Sequence, residues 1–331
     1  MVEITDIQSA QVWLRKQSHQ VHVCFAARAA LRGLPGLGHT EDATIGDLAF
    51  VSVRAILISA VAAKMPTADM KQRAHSAAHS AANSPRSATF DDVSSLDTTS
   101  DPTEVFDVSL WPEQNMPASL AENLQNLHDF WHNDPGVWGF WERWYDGFLN
   151  GTPLDWDVQL AVASLPDEDW EKGSEWIAEK IVEIEARATL ENRILELKQA
   201  LISGSAQGRG IGDNHPPEPI NDILQARPEL VVVWEPLEAL RQEAEADSPD
   251  KGIVIWAIKA LASTAVSCGA WTRNKANMFL DAALIAGGTA AGPTMVVFAT
   301  GHGDKIVAVI KAALTWLPFI GLKSTWMSCL T

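Results

Sequence analysis

The sequence predicts an all-α protein: a multi-helix, Trp-rich body with a disordered acidic loop and a separate apolar C-terminal helical tail. Three observations carry that prediction. Trp138, Trp141 and Trp144 recur every third residue, and Tyr145 and Phe148 extend the same broad helical face. Helix-start and helix-stop residues punctuate the chain at intervals suited to helices. Charge is divided along the chain. Residues 87–172 hold eighteen acids against Arg143 and Lys172, whereas residues 251–331 hold seven bases against Asp281 and Asp304.

With 331 residues, the chain is long enough for two domains, or for one with appendages. A net charge of −17 excludes a general nucleic-acid binder, which needs a basic footprint. Cys24, Cys268 and Cys329 are odd in number and far apart, so neither a disulfide framework nor a zinc spacing follows. A reducing compartment is expected. The N-terminus, MVEITDIQSAQVW, lacks a basic segment followed by an apolar run and so does not read as a secretory signal. The expected location is cytoplasmic, with residues 251–331 available to associate with the inner membrane.

Residues 1–84 read as an N-terminal helical region. Val12, Trp13, Val21, Val23, Phe25, Ala26, Ala29, Ala30 and Leu34 give an apolar face that Gly33, Pro35 and Gly36 end. The run 45–61 is β-branched enough for a strand, but its alanine density favours a helix. Residues 85–118, rich in Asp, Ser and Thr with little periodicity, form the expected disordered acidic excursion.

Residues 119–203 are the expected Trp-rich helical domain. Ser119 with Glu122 makes a capping box that opens a helix through His132. Asn150-Gly151 stops the Trp helix, and Thr152 reads as the next N-cap, with Pro153 first in the helix and Asp155 three residues after the cap. Aromatics at helical spacing face inward as a rule, so a Trp-rich core is expected. If exposed, Trp138, Trp141, Trp144, Tyr145 and Trp156 would be a partner-binding patch instead. Asp167, Glu168 and Asp169 complement the start of a short helix, and Gly173 ends it. The long helix that follows carries two apolar stripes, Ile177-Ile181-Ile184-Ala188 and Leu190-Ile194-Leu197-Leu201. Their offset near Thr189 predicts a kink or a change of packing partner, and Gly204 closes the helix.

Three segments here, WERWYDGFLNGTPLDWDVQ, LPDEDWEKGSEWIAEKIVEIEA and GIGDNHPPEPI, resemble segments shared by uncharacterised bacterial helical proteins. The resemblance covers roughly residues 140–220 and, more loosely, 12–35. It implies a helical fold and a bacterial origin, and it transfers no functional residue.

Residues 204–222, with four glycines and three prolines, read as a linker, and residues 223–250 as a charged helix interrupted near Pro236. Composition then turns apolar for the tail, 251–331. Ala283, Gly287 and Ala291 recur every fourth residue, as do Gly288 and Gly292, a spacing that lets helices approach closely in membranes. Lys259 and Lys311 mark the polar stripes of the runs 253–270 and 305–317. Trp256, Trp271, Trp316 and Trp326 fall near run ends, as interfacial aromatics do. Against insertion stand Lys259, Asp281, Lys305 and Lys311, since a central charge costs roughly 2.5–3.5 kcal/mol.

Catalytic signatures are weak. The Gly301-His302-Gly303-Asp304-Lys305 run lacks phosphate-loop spacing, and Pro216-Pro217 follow the glycines at 208–212 where a helix belongs. His75/His79 and His128/His132 are each four apart, so each pair shares a helical face and could ligate a metal with a third group. Glu122 or Asp129 could complete the second pair. Asp155, Asp157, Asp167, Glu168 and Asp169 could supply a carboxylate pair, but capping explains them more simply. The expectation is a non-enzymatic bacterial interaction protein with no cofactor, whose C-terminal tail docks on a protein partner or an anionic membrane surface. No nucleic-acid partner or small-molecule substrate is evident. The alternatives are a fully soluble helical scaffold or binding module and a metal-dependent enzyme using His128 and His132.

Overall fold

A computed structural model describes residues 12–13, 15–39, 42–73, 101–111, 116–206, 231–267 and 302–321. Among them every regular element is a helix and none is a strand. The chain divides into two compact units, Met1–Val182 and Glu183–Thr331.

In the first unit, α1 (His19–Gly33) opens at Ser18, whose side chain accepts from the Val21 N–H. Val21, Cys24, Ala27, Arg28, Leu31 and Arg32 share its buried stripe. A 3-10 turn, Leu34–His39, follows and packs against α3 (Ala118–Asn133). Gly38 is required there, because a Cβ would stand 1.9 Å from the Asn123 carbonyl oxygen. The run that left a strand open is α2 (Asp42–Lys64), with Ala49, Val53, Leu57, Ala60 and Val61 fully buried. Its segment Ile45–Lys64 is long and apolar enough to cross a membrane, but that burial marks it as the central core helix.

Residues 101–111 correct the expected disorder of 85–118 over that part of the segment. They form a strap containing a 3-10 turn, Pro102–Asp107, capped by Asp101, with Val105, Phe106, Leu110 and Trp111 buried. Four apolar side chains without a helical period are still enough to dock a short segment on a ready surface. Residues 74–100 and 112–115 lie outside the described residues.

Helix α3 begins at Ala118 behind Pro117, which makes no side-chain cap, so Ser119 lies inside the helix rather than capping it. Helix α4 (Pro135–Asn150) has Asp134 as its cap and Pro135 at its first position. It ends, as expected, at Gly151, in the left-handed region at φ 70°. The next cap is Asp155, not Thr152. The Thr152 N–H donates to the Gly147 carbonyl at 2.8 Å, which closes the corner. The Asp155 carboxylate is then placed to accept from the N–H groups of Asp157 and Val158, opening α5 (Trp156–Ala163). Helix α6 (Asp167–Trp170) has the three predicted acids in its first turn, and Gly173 follows it at φ 98°.

Helix α7 (Ser174–Ala206) is a single element that runs past Thr189 and past Gly204. The division of the chain into two units falls within its span, between Val182 and Glu183. Ile177 and Ile181 are buried in the first unit, whereas Leu190, Ile194, Leu197 and Leu201 are buried in the second. The expected change of packing partner along the helix is present.

In the second unit, α8 (Val231–Glu245) keeps Pro236 within the helix. It is followed by α9 (Lys251–Ser267), α10 (Gly303–Trp316) and a 3-10 turn, Leu317–Phe319. One core joins Leu190–Leu201 side chains of α7 with Val233, Leu237 and Leu240 of α8, Val254, Ile258 and Leu261 of α9, and Ile306, Val309, Ile310 and Trp316 of α10. Residues that composition divides into body, charged helix and apolar tail therefore supply a single hydrophobic centre. The small-residue run with Ala283, Gly287, Gly288, Ala291 and Gly292 lies outside the described residues.

Candidate functional site

The Trp corner is built for packing. Trp138, Trp141, Trp144, Tyr145 and Phe148 are all buried on α4. Their rings meet neighbours edge-on or tilted, with Trp141–Trp144 centroids 5.8 Å apart and Trp144–Phe148 5.4 Å apart. The Trp144 Nε1–H donates to Gln159 Oε1 at 2.9 Å, and Gln159 Nε2 donates to the Leu154 carbonyl at 2.7 Å. The Trp144 and Gln159 side chains of this buried corner are thus paired. Trp156 is half-buried, between Phe106 and Phe148, with the Lys64 ammonium 5.7 Å from its ring centre.

Two buried arginines hold the strap. Arg28 Nη1 donates to the carbonyls of Val105 and Val108, Nη2 donates to Ser109, and Arg32 Nε donates to Leu110 at 2.9 Å. The Arg32 guanidinium also lies 5.3 Å over the Trp111 ring. From the other side the Leu110 N–H donates to the Phe148 carbonyl, and the Ser109 hydroxyl donates to the Leu149 carbonyl at 2.7 Å. The strap therefore joins α1 to the C-terminal end of α4. Sequence reasoning missed this role for Arg28 and Arg32. Their signal was present, since both fall on the apolar stripe of α1.

His128 and His132 do not converge on one point. Their ring centres are 6.4 Å apart, and each faces its own carboxylate on α4. His128 Nε2 lies 3.3 Å from Asp146 Oδ1, and His132 Nε2 lies 3.2 Å from Glu142 Oε1. Among the described residues no group of three or more His, Cys, Asp or Glu side chains is arranged to hold a metal ion. The two rings face separate partners across the hairpin. His75 and His79 lie outside the described residues. The carboxylate of Asp146, and more weakly the charges of Glu142 and Asp129, raises the pKa of His128, while burial opposes them. Cys24 is fully buried, and burial pushes its thiol up to about 12, so it stays an inert thiol at neutral pH.

The outward face of α9 carries exposed apolar side chains beside lysines. Val254, Ala257, Ile258, Leu261 and Ala265 point into the core, which turns Ile253, Trp256 and Ser263 outward. Trp256 is 50% exposed and Ile253 is 40% exposed. Lys251 is exposed at the start of the helix, and Lys259 sits half-buried one turn beyond Trp256. Lys311 is exposed on α10. No family model matches this sequence, and neither a curated protein nor a solved structure is similar to it.

Proposed function

We propose that this chain is a non-catalytic interaction protein whose C-terminal unit adsorbs to an anionic membrane surface through the outer face of α9. The observation that carries the proposal is the exposed Trp256 beside exposed Ile253, on a helix that also bears Lys251 and Lys259. An amphipathic ring settles at the headgroup level, and flanking lysines meet anionic lipid. The excess of bases over acids in residues 251–331 adds attraction of the same sign, whereas the acids of residues 87–172 favour the aqueous side. Such a helix lies on the interface and does not span it, because its inner face is committed to the core.

The magnitude sets the affinity. Two lysines near the surface contribute about 1 kcal/mol each. Covering the exposed parts of Trp256 and Ile253 contributes on the order of 2 kcal/mol together. A total of about 4 kcal/mol corresponds to half-binding near ~1 mM accessible lipid. Sedimentation of the full chain with phosphatidylglycerol vesicles at several millimolar lipid should pull the protein down, and phosphatidylcholine vesicles should not. Raising the salt and the double substitution Ile253→Ala, Trp256→Ala should each weaken binding. Equal recovery in the supernatant with both lipids would refute the proposal.

A further inference from the structure

We propose that the two histidine–carboxylate contacts between α3 and α4 form an acid-tightened clasp, which fastens the hairpin as pH falls through the neutral range and slackens it as pH rises. The sequence sets up the register. His128 and His132 are one turn apart on α3, Glu142 and Asp146 are one turn apart on α4, and Asp134 alone separates the two antiparallel helices. The inner histidine of the hairpin, His132, therefore meets Glu142, and the outer one, His128, meets Asp146.

His132 Nδ1 stands 2.7 Å from the His128 carbonyl oxygen while Nε2 faces Glu142 at 3.2 Å. His128 Nε2 is shut off from water, and its ring is tilted against that of Trp131 with centroids 5.6 Å apart. A ring screened in this way interacts with Asp146 more strongly than an exposed pair would. His132, with its side chain 66% exposed, is weakened more by solvent, so His128 carries most of the effect.

The groups around His128 act in one direction. Asp146 and Glu142 come from α4, and Asp129 from its own helix. The α4 cation Arg143 hydrogen-bonds back to its own Gly139 carbonyl at 3.0 Å. On the 3-10 turn packed against α3, the titratable group is His39, which is exposed. A histidine pKa raised in the folded state contributes stability that is complete below about 6.5 and is lost as pH rises through the folded value. The same helix holds the 3-10 turn through Asn126 Nδ2, which donates to the Gly38 carbonyl at 3.2 Å, so the clasp acts on a segment with a second attachment.

The test uses the full chain. The His128 ring is titrated by NMR between pH 5 and 9, and amide hydrogen exchange is followed over residues 118–150 at pH 6 and pH 8, corrected for intrinsic exchange. In the wild type the His128 midpoint lies above 6.5, and protection at pH 6 exceeds that at pH 8. Asp146→Asn lowers the midpoint and diminishes the pH dependence. His128→Gln keeps a polar side chain without a titrating ring and brings the protection at the two pH values closer together. A wild-type midpoint at or below 6.5, or an undiminished protection ratio in either variant, overturns the proposal.

Discussion

Arg28→Met tests whether the strap is held by buried donors or by apolar packing alone. The guanidinium is 2% exposed and donates to three carbonyls, those of Val105, Val108 and Ser109. Methionine follows the path of the arginine stem, so the cavity term stays small. What changes is that the Val105 carbonyl is left buried with its donor gone, and its two neighbours lose theirs. Leaving the buried Val105 carbonyl without a donor costs about 1–3 kcal/mol, and the two partly buried bonds add to it, a sizeable share of the roughly 5–15 kcal/mol that holds a domain together. Arg32→Met removes one bond, to Leu110, and the contact over Trp111, and should cost about 2 kcal/mol. Because both side chains hold one strap, the double variant should lose less than the sum. Urea unfolding followed by circular dichroism gives the midpoints, and limited proteolysis reports cleavage within 101–111. Arg28→Met within about 1 kcal/mol of wild type, with the strap still protected, would show that Phe106 and Trp111 suffice and that the donors are incidental.

Gly151→Ala should destabilise the first unit by about 2 kcal/mol, or roughly 4–8 °C in Tm. The position has φ 70°, and an added Cβ would meet the Ser109 nitrogen at 2.7 Å, a backbone contact that no rotamer relieves. Calorimetry checks it, and an unchanged Tm would refute the close approach of strap to corner. In the second unit, hydrogen bonds from Arg241 and then Lys198 hold the Glu238 carboxyl at about 2, well below its ordinary 4.5. A depressed carboxylate stabilises above its unfolded value and loses that contribution as pH falls from about 4.5 to 2. With the Glu238 side chain 31% exposed, the pair is worth no more than about 1 kcal/mol. Glu238→Gln should therefore lower stability slightly at pH 7 and match wild type near pH 2. A constant gap across that range in chemical denaturation would sink the assignment.

Much of the architecture is legible residue by residue. Trp138, Trp141, Trp144, Tyr145 and Phe148 mark one helix face, Gly151 and Gly173 mark two stops, and the acids at 167–169 mark a helix start. Those features depend on neighbours within a turn or two. Caps were misplaced at Ser119 and Thr152, because Pro117 and the Gly147–Thr152 hydrogen bond decide which residue is left with free N–H groups ahead of it. The carboxylates facing His128 and His132 were missed because Glu142 and Asp146 reach them across a turn, not along a helix.

Periodicity and end-signals in the chain were enough to determine that it is helical, where several of the helices stop and which rings are hidden. They act locally, through backbone geometry and the burial of one face. Only the tertiary structure decided that Arg28 and Arg32 point at carbonyls some eighty residues away. It alone showed that Leu190, Ile194, Leu197 and Leu201 of α7 pack in the core of the second unit, and that α9 turns Trp256 outward while giving its other face to that core. The physical reason is that a side chain's partner depends on which distant surface it meets, and composition records only that it needs one.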